Sequence, residues 1–283
     1  MFLTSDSAAD LPPELRAEIG LHTVPLHIQI EDKSGRDGVD IFPQDIYAAF
    51  HARKSLPKTA APAPEEFKAL FEGLTRQGAA VVHIALNSKF SACYQNAALA
   101  AKEVDGEIYV LDSLNCCAGQ GMLCMQAARL RGQGLPAAEI AEAILRLRAK
   151  VVGVYYVDAL HFLSKSGRCP GIVALGANLL GLHPTILFDG ATGTTSIGKK
   201  YRGKSAKAAE AWVRDAAQNI RETCDPALCL LLRTPDIPPE FYEPLHRLAA
   251  ELLPGAHLTT CTTGCTIASH AGDHCFGLVG IEK

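Results

Sequence analysis

Gly198, Gly203, Lys204 and Ser205 stand at every fixed position of the phosphate-loop pattern G-x-x-x-x-G-K-[ST] in the segment GKKYRGKS. In such a loop, backbone N–H groups wrap the phosphates, the lysine reaches their oxygens and the hydroxyl meets magnesium. The loop follows a buried apolar strand and keeps its variable positions small. Here the preceding ATGTTSI is polar and the variable positions are Lys199, Lys200, Tyr201 and Arg202. LCLLLRTPD delivers Arg233 before Asp236, so this strand does not end on a carboxylate for magnesium. A nucleotide-dependent transferase is the chemistry the pattern names. A cationic solvated face, or a docking surface for an acidic partner built on Lys199, Lys200 and Arg202, suits the composition better.

CTTGCTIASHAGDHC sets Cys261, Cys265, His270 and His274 at C-x3-C-x4-H-x3-H, which resembles a zinc-binding module. Paired Cys and paired His ligands are usually separated by roughly a dozen residues so that the chain can fold back around the metal. The shorter spacing here favours buried thiols. Cys265 or Ser91 with His270 would make a nucleophile and base for a hydrolase, yet the chain contains no G-x-S-x-G elbow. His270 stands in ASHAGDH, read as a small-residue loop between apolar strands, with room beside it for a ligand. A structural histidine is the other reading.

Polar residues also collect where strands end, the usual place for ligands on open parallel sheets. TSDSAAD, NSKFSACYQ and LNCCAG follow three apolar strands. Asn87, Ser88 and Ser91 open the next helix, where hydroxyls either cap it or share its free N–H groups with a ligand carboxylate. Asp6 and Asp112 end their strands with the same choice. Thr59 lies in KTAAPAPEEF, a Pro-rich approach to a helix that starts at Pro64 with Glu65 and Glu66 in its first turn.

The elements that position these residues change character along the chain. Through residues 1–150, short apolar strands alternate with helical patterns, the rhythm of a parallel α/β domain, with a hairpin inserted at about 21–41. From 151 to 283, strands such as VVGVYYV, PTILFD and TTSIGKKY, and the helices IVALGANLLG and 204–223, suggest a two-layer α+β domain. A chain of 283 residues, 48% apolar and 20% charged, is long enough for two packed cores. Its net charge of −3 gives no basic field for nucleic acid. The N-terminus has no basic n-region and no apolar run spans a bilayer, so the expected location is cytoplasmic, with at most transient membrane contact. Most of the ten cysteines are expected to be reduced, buried thiols.

Several segments together resemble the DegV family of bacterial fatty-acid-binding proteins. SDSAADLP, KTAAPAPEEF, LNSKFSACYQNA, VLDSLNCCAGQG, DALHFLSKSGRCPG, LLGLHPTILFDG, KKYRGK and ASHAGDHCFG follow in the family's order and spacing across nearly the whole chain. The resemblance implies an N-terminal three-layer α/β domain with a parallel sheet and a C-terminal two-layer α+β domain with a mixed sheet. It also implies one long-chain fatty acid between them as ligand, with no cofactor. Thr59, Ser91 and His270 match the family's carboxylate-binding residues, and Gly167 and Arg168 match a Gly-Arg pair near the carboxylate. Family members present the bound acid to a separate fatty acid kinase subunit that makes acyl phosphate. The sequence departs from the family pattern at Ala60, Ala61, Ala63, Ala92 and Cys93, and at Asp273 and His274, which stand where Pro-Gly is usual.

Overall fold

Among the described residues, four helices begin on a proline, whose missing N–H costs nothing in a first turn: α1 (Pro13–Glu18), α2 (Pro43–Arg53), α3 (Pro64–Thr75) and a late helix starting at Pro239. Each carries an acid in that turn, where the helix dipole favours it. Asp45 and Glu66 also reach back to accept from the N–H groups of Phe42 and Ala63. In a computed structural model, residues 1–158, 160–169, 171, 181–225, 228–256 and 258–283 are described. The expected helix IVALGANLLG falls almost entirely outside them.

A parallel sheet has the order β2-β1-β6-β7, from β1 (Phe2–Asp6), β2 (Leu21–Val24), β6 (Val81–Ala85) and β7 (Ile108–Asp112). All five residues of β6 are buried, as a strand covered on both faces requires. One face carries α3 and α4 (Cys93–Ala101), the other α5 (Cys117–Gly132) and α6 (Ala137–Leu147). That is the expected three-layer arrangement.

A mixed sheet of order β10-β9-β8-β13-β11-β12 follows. Its strands are β8 (Val151–Val157), β9 (Leu182–Asp189), β10 (Thr194–Arg202), β11 (Leu230–Arg233), β12 (Thr259–Thr262) and β13 (Cys275–Ile281). Only β11 and β12 pair in parallel. The helices α8 (Ser205–Thr223) and α9 (Pro239–Leu252) pack together, and α8 covers this sheet's outer face. The inner face meets α5, which is therefore wedged between the two sheets and buried from Cys117 through Cys124. The cores are consequently not separate. One apolar cluster runs from Leu3 and Ile84 through Met122 to Tyr155, Leu232 and Val279, and a second, around Trp212 and Phe276, belongs to the mixed sheet and its helices.

The hairpin is shorter than expected. Leu21–Val24 pairs with β1 in the parallel sheet, and Pro25, which has no N–H to continue the ladder, separates it from the hairpin of β3 (His27–Ile30) and β4 (Lys33–Arg36). The approach to α3 supplies a third strand, β5 (Lys58–Ala60), on the other side of β3. ASHAGDH is not a loop: residues up to Ala271 form α10 (Cys265–Ala271). All ten cysteines are free and buried. Among the described residues, no helix is long and apolar enough to cross a membrane.

Candidate ligand-binding site

Seven residues make a weak helix by themselves, so α10 depends on what holds its ends. Its first N–H groups are met by two carboxylates far away in sequence. Asp10 accepts from the Gly264 N–H at 2.8 Å. Asp37 accepts from the N–H groups of Cys265 and Thr266 at 2.8 and 3.1 Å, from the Thr266 hydroxyl at 2.6 Å and from Ser7 at 2.9 Å. Burial, with Asp37 as a like-charged neighbour, raises the Asp10 carboxyl well above its ordinary range. This anchorage fixes the last turn of α10, and with it His270.

Thr59 reaches the same point from another element. Its strand pairs Thr59 with Ile28 of the hairpin, and the Thr59 hydroxyl lies 2.8 Å from His270 Nε2. Desolvation, followed by the nearby Arg168 charge, lowers the His270 pKa to about 4, so the ring is neutral at pH 7. Nδ1 is buried without a hydrogen-bond partner. A buried N–H without an acceptor is rarer than an unmet lone pair, which assigns the proton to Nε2, donating to Thr59. The Thr59 hydroxyl proton is then free for a ligand.

Ser91 sits in the turn between β6 and α4, where its Oγ accepts from the Cys93 N–H at 3.3 Å and lies 3.1 Å from Cys93 Sγ. Arg168 follows α7 (Leu160–Ser166) and is exposed, tethered by its side chain to the carbonyl of Ser166 and more weakly to that of Phe90. Its own carbonyl accepts from Thr195 at 3.1 Å. Thr59, Ser91, Arg168 and His270 all line one cavity of about 210 Å³. The remaining wall is mainly apolar, with Leu26, Phe90, Leu163, Ile186, Phe188 and Ile267 among its residues. Tyr155 also faces it, in a slot that exists because Gly153 and Gly277 lack side chains; a Cβ there would stand 2.7 and 2.6 Å from the ring. Four cysteines line the cavity, and burial pushes the thiols of Cys117 and Cys275 upward, so they act as apolar wall and not as nucleophiles.

Ser88 and Asn87 do not reach the cavity. The Asn87 amide donates to the carbonyls of Gly193 and Leu114, and its Oδ1 accepts from the Lys89 N–H, which spends the side chain on joining three loops. The Ser88 N–H goes to Asp112. Neither caps the helix, which starts later, at Cys93. Thr195, Thr263 and Thr266 line the cavity and were not singled out from sequence, because threonines on alternating strands and short helices carry no distinctive spacing.

The pattern-based alternatives dissolve in the same geometry. GKKYRGKS is mostly extended in edge strand β10 and wraps nothing; a Cβ on Gly198 would lie 2.6 Å from the Thr185 hydroxyl. Lys199 is paired with Asp215 of α8, whereas Lys200 and Arg202 are exposed. Cys261, Cys265, His270 and His274 do not converge on one point: the Cys265 thiol donates to the Ile41 carbonyl, and His270 is held by Thr59. Ser91 contacts Cys93, so it forms no pair with His270.

Known proteins match this arrangement over its whole length. A DegV family protein from Caldanaerobacter subterraneus subsp. tengcongensis, named for its DegV domain, is 30% identical over 99% of this chain and 98% of its own. Among solved structures, the fatty-acid-binding DegV family protein of Thermus thermophilus superposes with a TM-score of 0.88 at 26% identity, covering 100% of this chain and 99% of its own. The stearic-acid-binding protein of Eubacterium ventriosum gives 0.87 at 25% with the same coverage. The profile of a family described as "Uncharacterised protein, DegV family" spans residues 2–283, and with it the two sheets, the wedged helix and every wall of the cavity: this chain belongs to the DegV family.

Proposed function

We propose that the cavity holds the acyl chain of one long-chain fatty acid and that Thr59, Ser91, His270 and Arg168 receive its carboxylate. The protein is then a cytoplasmic carrier, not an enzyme. It offers the carboxylate to a partner kinase, where a carboxylate oxygen bonds to the terminal phosphorus of a nucleoside triphosphate held by that partner and the diphosphate leaves. The observation that carries this reading is the meeting of Thr59, from the hairpin sheet, with His270, from a helix beside the mixed sheet, on the wall of an otherwise apolar cavity. The binding of fatty acids by the similar Thermus and Eubacterium proteins supports it.

The energetics are adequate. Burying about 14 methylenes contributes roughly 11 kcal/mol gross, at about 0.8 for each, before ordering and association costs. A carboxylate left unpaired beside that chain would cost several kcal/mol, which two hydroxyls and a guanidinium at an exposed position offset. Mass spectrometry of lipid released from the denatured protein tests the reading. A fatty acid near one per chain supports it; protein that neither carries fatty acid nor takes up added palmitate or oleate overturns it.

A further inference from the structure

His274 belongs to a second cluster, away from the polar residues of the cavity. Asp236, from the turn between β11 and α9, and Asp273 and His274, from the turn between α10 and β13, each bring one ligand atom within 4.8 Å of the others. Asp273 is only 13% exposed, and two imidazoles approach the same carboxylate oxygen: His51 Nε2 of α2 at 3.7 Å and His274 Nδ1 at 3.9 Å. Asp236 Oδ1 is shielded from solvent and has no hydrogen-bond partner among the described residues. No lysine or arginine among the described residues forms an ion pair with either aspartate. Two neighbouring, partly buried carboxylates thus repel each other, and among the described residues the charged groups that relieve them are histidines.

We propose that Asp236, Asp273 and His274, with His51 as fourth ligand, form a binding site for a divalent transition-metal ion of the zinc type. Mixed carboxylate and imidazole donors suit zinc and its neighbours, whereas magnesium and calcium take oxygen ligands. Zinc bonds of about 2.0–2.2 Å place tetrahedral ligand atoms roughly 3.4 Å apart. The two histidine-to-aspartate separations exceed that by only a few tenths of an ångström, and the Asp236, Asp273 and His274 atoms lie within 4.8 Å of one another, so side-chain rotations must draw Asp236 and His51 in toward a common ion. The four ligands come from three separate segments, so the ion would staple α2 to the turn that leaves α10. The zinc-like spacing in the sequence includes His274 but not these companions, because Asp236 and His51 arrive through the fold.

Zinc titration of the metal-free full-length protein, followed by calorimetry and by thermal unfolding with and without EDTA, tests the site. The expected result is saturable uptake of one zinc per chain, with an EDTA-reversible rise in Tm and no response to magnesium. Asp236→Asn and His274→Gln should each weaken binding at least tenfold, and His51→Ala should weaken it by a smaller factor. His51 is 60% exposed, so that variant keeps the test informative if another fails to fold. Absence of saturable zinc binding, or zinc affinity unchanged in all three variants, overturns the proposal.

Discussion

Replacing Asp37 with alanine should destabilise the protein by about 3–5 kcal/mol, chiefly from two buried N–H groups left without an acceptor. The carboxylate accepts four hydrogen bonds and is 5% exposed. The hydroxyls of Ser7 and Thr266 can rotate to other acceptors, but the N–H groups of Cys265 and Thr266 are fixed in the backbone. Each buried N–H left without an acceptor costs about 1–3 kcal/mol, and the lost charge at the start of α10 adds up to about 1. Relief of the repulsion between Asp37 and Asp10 returns part of that. Urea unfolding reads the loss from the midpoint at constant slope. Asp37→Asn, which keeps one carbonyl oxygen, should lose about half as much, and in both variants palmitate affinity should fall because His270 is carried on the far end of the same helix. A cost below about 1 kcal/mol for Asp37→Ala would refute the claim that this residue anchors α10.

Thr59→Val keeps the side-chain shape and removes one hydroxyl donor to a charged group, so palmitate Kd should rise roughly tenfold or more; an unchanged Kd would remove Thr59 from the carboxylate site. The His83 ring is fully buried with its pKa lowered to about 3 by desolvation. Its folded-state pKa lies below the unfolded value of 6.5, so its contribution is fully present above pH 6.5 and is lost as pH falls from there toward 3. Stability curves of His83→Leu should therefore be flatter in that window, by up to about 1.4 kcal/mol per pH unit, and equal slopes would show that His83 does not titrate as described. Gly277→Ala pushes a methyl group into the Tyr155 ring; competition between fatty acids of different length should show a shift toward shorter chains, and an unaltered preference would place Tyr155 away from the acyl tail. Lys200→Glu with Arg202→Glu should impair kinase-dependent acyl phosphate formation and spare palmitate binding. Lys199→Glu should do much less, since Lys199 is already engaged with Asp215; loss of lipid binding in the double variant would put the segment in the pocket.

Elements with a strong local signature were legible in the sequence: helices opened by Pro43 and Pro64, the buried strand VVHIA, the long helix after Lys204. The hairpin boundary was not, because alternation continues across Pro25 and only pairing partners decide that Leu21–Val24 joins β1. α10 was hidden for a related reason: ASHAGDH has little helical pattern of its own, and the residues that stabilise it, Asp10 and Asp37, lie more than 200 positions away. Among the cavity-lining residues, Ser91 and His270 drew attention through local chemistry, whereas Thr59 and Arg168 stood out only through segments resembling a family. Asn87 and Ser88 do not line the cavity, and in sequence an amide or hydroxyl at a strand end looks the same whether it joins loops or meets a ligand.

On the proposed function, the electrostatics of this cavity suit a carboxylate that must react after it binds. An ion pair to a buried imidazolium would hold the anion tightly and withdraw the electron density that attack on phosphorus needs. Burial instead keeps His270 neutral at pH 7, so that it orients the Thr59 hydroxyl and does not neutralise the acid. Among the described residues, the one cation on the wall, Arg168, is exposed and bound to backbone carbonyls, where solvent would weaken its pull on a bound carboxylate. Affinity then comes mainly from the apolar wall and orientation from neutral donors. On that proposal, the carboxylate would stay basic where a partner's phosphoryl group could reach it. Introducing a fixed charge inside the cavity, as in Thr59→Lys, should therefore spare or strengthen fatty acid binding while slowing acyl phosphate formation, and a parallel change in both would contradict this division of labour.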